Sequence, residues 1–147
     1  MTDELVLEIE RVLPAAPSAV FHAFVDPGEL ANWWGPAGFT IPSLSFPARV
    51  GDSYRIEMQP PAGDPFALTG EFREVDPTAR LAYTFRWEPA DPDDVETLVR
   101  LWFRDLDDST EVSLEQGAFK TEARLALHRD GWTDSFDKLE QLLSAHA

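Results

Sequence analysis

Few side chains in this sequence offer reactive chemistry. Cysteine is absent, which removes disulfides, thiolate nucleophiles and thiolate-ligated metals. The three histidines, His22, His128 and His146, are scattered, with no His-x-x-Glu-His or similar spacing to bring two imidazoles onto one ion. No metal site is expected. A G-x-S-x-G elbow is missing, as is any serine near a His–Asp pair in sequence, and the eight glycines are dispersed without a G-x-x-x-x-G-K phosphate cradle. The 27 Asp and Glu residues offer carboxylates in quantity, yet no pair stands out for acid–base work. Glu57 and Glu71 fall in mid-strand and are assigned to a solvated sheet face. Neither a catalytic residue nor a cofactor is expected.

What remains is aromatic. Ten Phe, five Trp and two Tyr exceed what the core of a small domain needs. Alternation along a strand puts Tyr83, Phe85 and Trp87 on one face, then Val99, Leu101 and Phe103, then Val112, Leu114 and Gln116. If those faces look toward the C-terminal helix, its Trp132 and Phe136 meet them across the interior. An apolar ligand site is therefore expected from Trp34, Phe72, Phe85, Trp87, Phe103, Phe119, Trp132 and Phe136. Two polar residues are set among them. Gln116 is expected as a ligand contact, and His128, one turn before Trp132, as a group that could orient a ligand carboxylate or hydroxyl. Trp33 and Trp34 are adjacent on a helix and about 100° apart, so one must anchor that helix while the other, Trp34, turns to the cavity.

The elements that must position these side chains follow from periodicity. Residues 5–13 alternate, with Leu5, Leu7, Ile9 and Arg11 on one face, and read as a strand that stops at Pro14. Pro17-Ser18 opens a short helix with Val20, Phe21, Phe24 and Val25 as its apolar stripe. Asp26 before Pro27 is an N-cap for a second short helix, closed by Gly35-Pro36. Six strands then follow at 39–46, 53–59, 66–75, 80–87, 96–106 and 110–119, joined by short breakers that imply an antiparallel meander. Residues 88–94 form a longer acidic loop, read as a solvated turn. From Thr121, a plausible N-cap, the period changes. Leu125, His128, Trp132, Phe136, Leu139 and Leu143 mark an amphipathic helix of roughly six turns. Gly131 inside it signals close packing or a break into two helices. The layout is α+β, with about seven strands curved around one long helix.

Four stretches then resemble a known family in register. Asp26-Pro-Gly-Glu-Leu30-Ala-Asn-Trp33-Trp34-Gly35-Pro36 is similar to the D-P-x-x-L-x-x-W-W-G-P signature of the family named for the activator of heat-shock protein 90 ATPase, within the START-like (SRPBCC) superfamily. Arg49-Val-Gly51-Asp52 resembles its R-x-G-G turn, Asp76-Pro77 with Arg80-Leu81 its D-P-P-x-R-L, and Gly131-Trp132 with Leu139 its closing G-W-x-x-x-L-x-x-L. The match departs at Pro47, where relatives often carry Asp, and at Asp52, where they carry a second Gly. The resemblance implies a helix-grip fold enclosing an elongated apolar cavity. It does not imply one reaction, because START-like relatives include lipid carriers, hormone receptors, polyketide cyclases and chaperone regulators.

The chain's 147 residues suit a single domain, 1–147. Its formal charge of -15 repels phosphate backbones and anionic headgroups, so no nucleic acid is expected as a partner. No apolar run is long enough for membrane insertion, and the acidic Met1–Glu4 segment lacks the features of a signal peptide, so a cytoplasmic location is expected. Sheet edges leave a homodimer open. Three functions remain: a non-catalytic module for an apolar or amphipathic small molecule, which leads; a cyclase- or hydrolase-type enzyme using the same cavity; and a chaperone ATPase regulator acting through its surface.

Overall fold

The computed structural model describes residues 4–145; His146 lies outside them. The elements run β1 (Leu5–Leu13), α1 (Pro17–Val25), α2 (Pro27–Trp33), β2 (Thr40–Ser45), β3 (Ser53–Gln59), β4 (Phe66–Asp76), β5 (Arg80–Glu88), β6 (Thr97–Asp105), β7 (Thr110–Phe119) and α3 (Glu122–Ala145). All seven strands form one antiparallel sheet in the order β1-β7-β6-β5-β4-β3-β2. Only β1 departs from a simple meander. Its pairing with β7, Leu7 opposite Gln116 and Leu13 opposite Thr110, brings the start of the sheet beside its end. The edges are thus β1 and β2, and β2 carries Pro42, which has no N–H to offer a neighbouring chain.

Alternation decides which side chains leave water. On β5, β6 and β7 the residues Tyr83, Phe85, Leu101, Phe103, Val112 and Leu114 are buried. Glu57 and Glu71 are partly exposed, 3.8 and 3.5 Å from Arg55 and Arg73. The turn that departs from the family pattern still closes. Asp52 N–H donates to Arg49 O (3.0 Å), and the Asp52 carboxylate accepts from Arg49 Nε at 2.9 Å.

The helices cover the sheet's concave side. Thr121 Oγ1 accepts from Arg124 N–H and caps α3, and Asp26 Oδ2 accepts from Glu29 N–H and caps α2, both at 3.1 Å. Helix α3 runs unbroken through Gly131, so neither of the two explanations for that glycine holds. A Cβ there would meet nothing nearer than Pro36 Cγ, at an ordinary 3.7 Å. Arg11 of β1 reaches over the Phe136 ring to Asp137 (2.9 Å) and fixes α3 to the sheet edge. Close approach matters at Gly70, where a Cβ would lie 1.9 Å from Thr84 O and 2.5 Å from the Tyr54 ring. No helix among the described residues is long and apolar enough to cross a membrane.

Candidate functional site

The helix and sheet do not fill the space between them. A cavity of about 360 Å³ lies between α3, the segment after α2 and strands β3 to β5. Its helical wall is His128, Gly131, Trp132 and Ser135, the i, i+3, i+4, i+7 face of α3. Opposite stand Met58, Phe66, Phe85 and Trp87 from the strands. Trp34 and Phe39 close one end, and Leu127, 54% exposed, marks the mouth with Asp91, Asp94 and Arg124.

The tandem tryptophans divide as their angular separation requires. Trp33 is fully buried and donates its indole N–H to Ala23 O at 2.9 Å, tying α2 to α1. Trp34 turns to the cavity and meets Trp132 edge-on, ring centres 5.1 Å apart. The turn that aims it is pinned to α3. Gly35, at φ +95°, donates its N–H to Ser135 Oγ (3.0 Å), and Ala37 N–H donates to Asp134 Oδ2 (3.1 Å).

Polar atoms in the walls are mostly matched to one another. Trp132 N–H donates to Gln116 Oε1 at 2.7 Å, and Gln116 Nε2 donates to Thr97 Oγ1 at 2.9 Å. Trp87 N–H donates to His128 Nε2 at 2.9 Å, which makes His128 the neutral Nδ1–H tautomer, with Nδ1 2.8 Å from Arg124 O. Burial is the main reason that the His128 pKa is held below its ordinary value; the Arg124 carbonyl and Asp94 oppose it. The Trp34 indole N–H has no hydrogen-bond partner among the described residues, while its backbone N–H donates to Leu30 O at 3.0 Å.

At the mouth Arg124 gathers the β5–β6 loop. Its Nη2 lies 2.7 Å from both Asp91 Oδ2 and Asp94 Oδ1, and its Nε, which makes no hydrogen bond, lies 3.4 Å from Asp93 Oδ1. Lys120 Nζ adds a bond to Pro92 O at 3.1 Å. The loop read as a solvated turn is therefore clamped to α3 and forms part of the cavity rim. Its charges alone suggested a surface turn, because the partner that gathers them lies some thirty residues away.

Of the ten residues expected around a ligand, Trp34, Phe85, Trp87, His128 and Trp132 line the cavity. The other five do not. Phe72 packs with Phe46 (4.9 Å) and Tyr54 (5.5 Å) in a separate aromatic cluster. Phe103 packs under α1 against Phe21 and Phe24. Phe136 is fully buried beside Phe24, and Phe119 sits behind the His128 ring at 4.7 Å. Gln116 is fully enclosed behind Trp132 and spends its carbonyl on that indole. His128 likewise has both ring nitrogens engaged, so neither is free for a ligand's carboxylate or hydroxyl. Alternation identifies the inward face of a strand but not the stretch of it that meets empty space.

Phe39, Met58, Phe66, Arg124 and Ser135 also line the cavity and were not singled out from sequence. For Arg124 and Ser135 a signal existed, since both share the helical face of His128. The candidate metal cluster His22, Asp26 and Glu29, at the exposed junction of α1 and α2, is already occupied internally. Asp26 caps α2, and Glu29 lies 3.3 Å from His22.

Comparison with known proteins places this architecture. Protein CV1439 from Chromobacterium violaceum is 30% identical over 94% of this chain and 96% of its own, with a TM-score of 0.85. The AHSA1 (SPO3351) protein from Silicibacter pomeroyi is 26% identical over 97% and 99%, also with a TM-score of 0.85. Protein NE0264 from Nitrosomonas europaea, 24% identical over 99% and 98%, shares the fold at 0.82. No curated protein matches the chain. The family model described as activator of Hsp90 ATPase homolog 1-like protein matches residues 14–144, and with the helix-grip fold and the Trp33-Trp34 turn in place, the chain belongs to that family.

Proposed function

We propose that this protein is a non-catalytic binding domain that holds one apolar or amphipathic small molecule between its sheet and α3. The observation that carries this reading is the cavity of about 360 Å³ with six Phe and Trp side chains and a methionine around it. Trp132, Trp87, His128 and Ser135 have spent their hydrogen bonds within the protein. Such a space gains most from apolar surface. The Trp34 indole N–H within the cavity, and the Arg124 Nε–H at its rim, are left to meet a neutral acceptor on a ligand. A general base is harder to find, because His128 would have to release Trp87 before accepting a proton.

A ligand of about 12 non-hydrogen atoms, at about 0.5 kcal/mol per atom, would bind with a Kd of roughly 40 µM. At ten times that concentration it would stabilise the protein by about 1.4 kcal/mol and raise Tm by about 4–6 °C. Thermal unfolding with a panel of neutral bicyclic and phenyl-alkyl probes, read by tryptophan fluorescence, tests this. Gly131→Leu supplies the control, since it plants a side chain on the cavity wall at a helical site with open space. A shift in the wild type that disappears in Gly131→Leu is expected. No shift with any probe, or a shift that survives the substitution, would overturn the reading.

A further inference from the structure

Resting on the cavity reading above, we infer that the ligand is a cationic amphiphile, an aromatic or alicyclic body whose ammonium group sits at the mouth between the Asp91 carboxylate and the aromatic walls. Two independent features select for positive charge. The first is the rim. Three carboxylates, Asp91, Asp93 and Asp94, surround one guanidinium, that of Arg124. Counting Lys120, which reaches only the outer carbonyl of Pro92, leaves two positive charges against three negative. Asp94 spends Oδ1 on Arg124 and Oδ2 on the Asp91 N–H, but Asp91, which also lines the cavity, is 71% exposed at the side chain and keeps carboxylate lone pairs open to a newcomer.

The second feature is the wall. Trp34, Phe85, Trp87 and Trp132 line the cavity, and a ring face is the negative part of the aromatic quadrupole. An ammonium entering here meets carboxylates at the rim and aromatic rings within.

An anionic ligand finds neither. Arg124 already holds Asp91 and Asp94 on its Nη2, its unbonded Nε–H is buried, and His128 is neutral with both nitrogens occupied. Lys138 is turned to the carbonyls of Trp34 and Pro36, at 3.4 Å, and does not line the cavity. The Trp34 indole N–H and the buried Arg124 Nε–H, which faces Asp93 at 3.4 Å, are too little to replace the hydration of a carboxylate. The chain's charge of -15 adds a long-range field of the same sign, screened over about 8 Å at physiological salt.

Three probes that share one naphthyl body separate the possibilities: naphthylethylamine, naphthylethanol and naphthylacetate, titrated calorimetrically into wild type, Asp91→Asn and Gly131→Leu. The amine should bind the wild type about five- to thirtyfold tighter than the alcohol, with the acetate weakest. Asp91→Asn should narrow the amine-to-alcohol ratio, and Gly131→Leu should abolish tight amine binding, which excludes loose association with the acidic surface. An alcohol that equals the amine, an acetate that binds tightest, or a ratio unchanged in Asp91→Asn overturns the charge assignment while the cavity reading stands. If none of the three binds, the cavity reading falls and takes this inference with it.

Discussion

Replacing Gln116 with Leu should be among the most informative single changes to this protein. Gln116 is fully buried and links two partners that are themselves almost inaccessible. Its carbonyl receives the Trp132 indole N–H at 2.7 Å, and its amide donates to Thr97 Oγ1 at 2.9 Å. Leu keeps roughly the same volume and removes both bonds. The stranded indole N–H loses about 1–3 kcal/mol. The Thr97 hydroxyl loses less, because it can rotate toward another acceptor. The sum is about 2–4 kcal/mol, or a fall in Tm of about 6–12 °C. Urea denaturation followed by tryptophan fluorescence measures it, with an unchanged slope showing that the unfolded state is not the cause.

Trp132→Phe removes the donor instead, so Gln116→Leu in that background has one fewer group to strand. The double variant should recover about 1–2 kcal/mol relative to the sum of the singles. Gln116 acts on the cavity only through Trp132, so Gln116→Leu should also weaken naphthylethanol binding while leaving the cavity open. A loss below about 0.5 kcal/mol for Gln116→Leu, or strict additivity in the cycle, would refute the reasoning.

Because His128 is held below its ordinary pKa of 6.5 mainly by burial, the unfolded chain takes up the proton first as pH falls. The stabilisation is complete above about pH 6.5 and is lost below it; urea titrations at about pH 7.5 and 5.5 should show His128→Gln losing less stability than wild type, and equal losses would refute this. Gly70→Ala should cost more than about 3 kcal/mol, since its Cβ would collide with Thr84 O at 1.9 Å. Gly131→Ala should instead stabilise by up to about 1 kcal/mol through helix propensity, and thermal unfolding of the pair checks both signs. Arg124→Gln leaves the Asp94 carboxylate, 7% exposed, without its counter-charge; a loss of about 2–3 kcal/mol with faster amide exchange across residues 89–96 is expected, and unchanged exchange would show that Arg124 does not hold the loop.

Much of the architecture was legible in the sequence because it follows from local rules. Alternation over 53–59 and 110–119 matches the observed strands to the residue, the 39–46 and 96–106 strands are each trimmed by one residue at both ends, and Asp26 and Thr121 cap the helices they precede. The family signature could be read for the same reason: Trp33-Trp34-Gly35-Pro36 is a local device, a helix end followed by a turn that needs a glycine at φ +95°. Gly131 shows where such rules stop. It suggested packing or a break, and the helix passes through it with room to spare.

The sequence by itself determined the element order, the inward face of each strand and the absence of thiol chemistry, because each depends on residue type and nearest neighbours along the chain. Only the tertiary structure decided which inward side chains border empty space. Phe72 and Phe85 both point inward, yet Phe46 and Tyr54 fill the space before the first, while the second meets only the His128 edge of α3 and borders the cavity. It also decided that Gln116 and His128 are spent, since their partners Trp132 and Trp87 lie 16 and 41 residues away, and that the acidic loop at 88–94 is a rim, because Arg124 reaches it across the fold. Packing of this kind depends on distances between elements, which no local periodicity encodes.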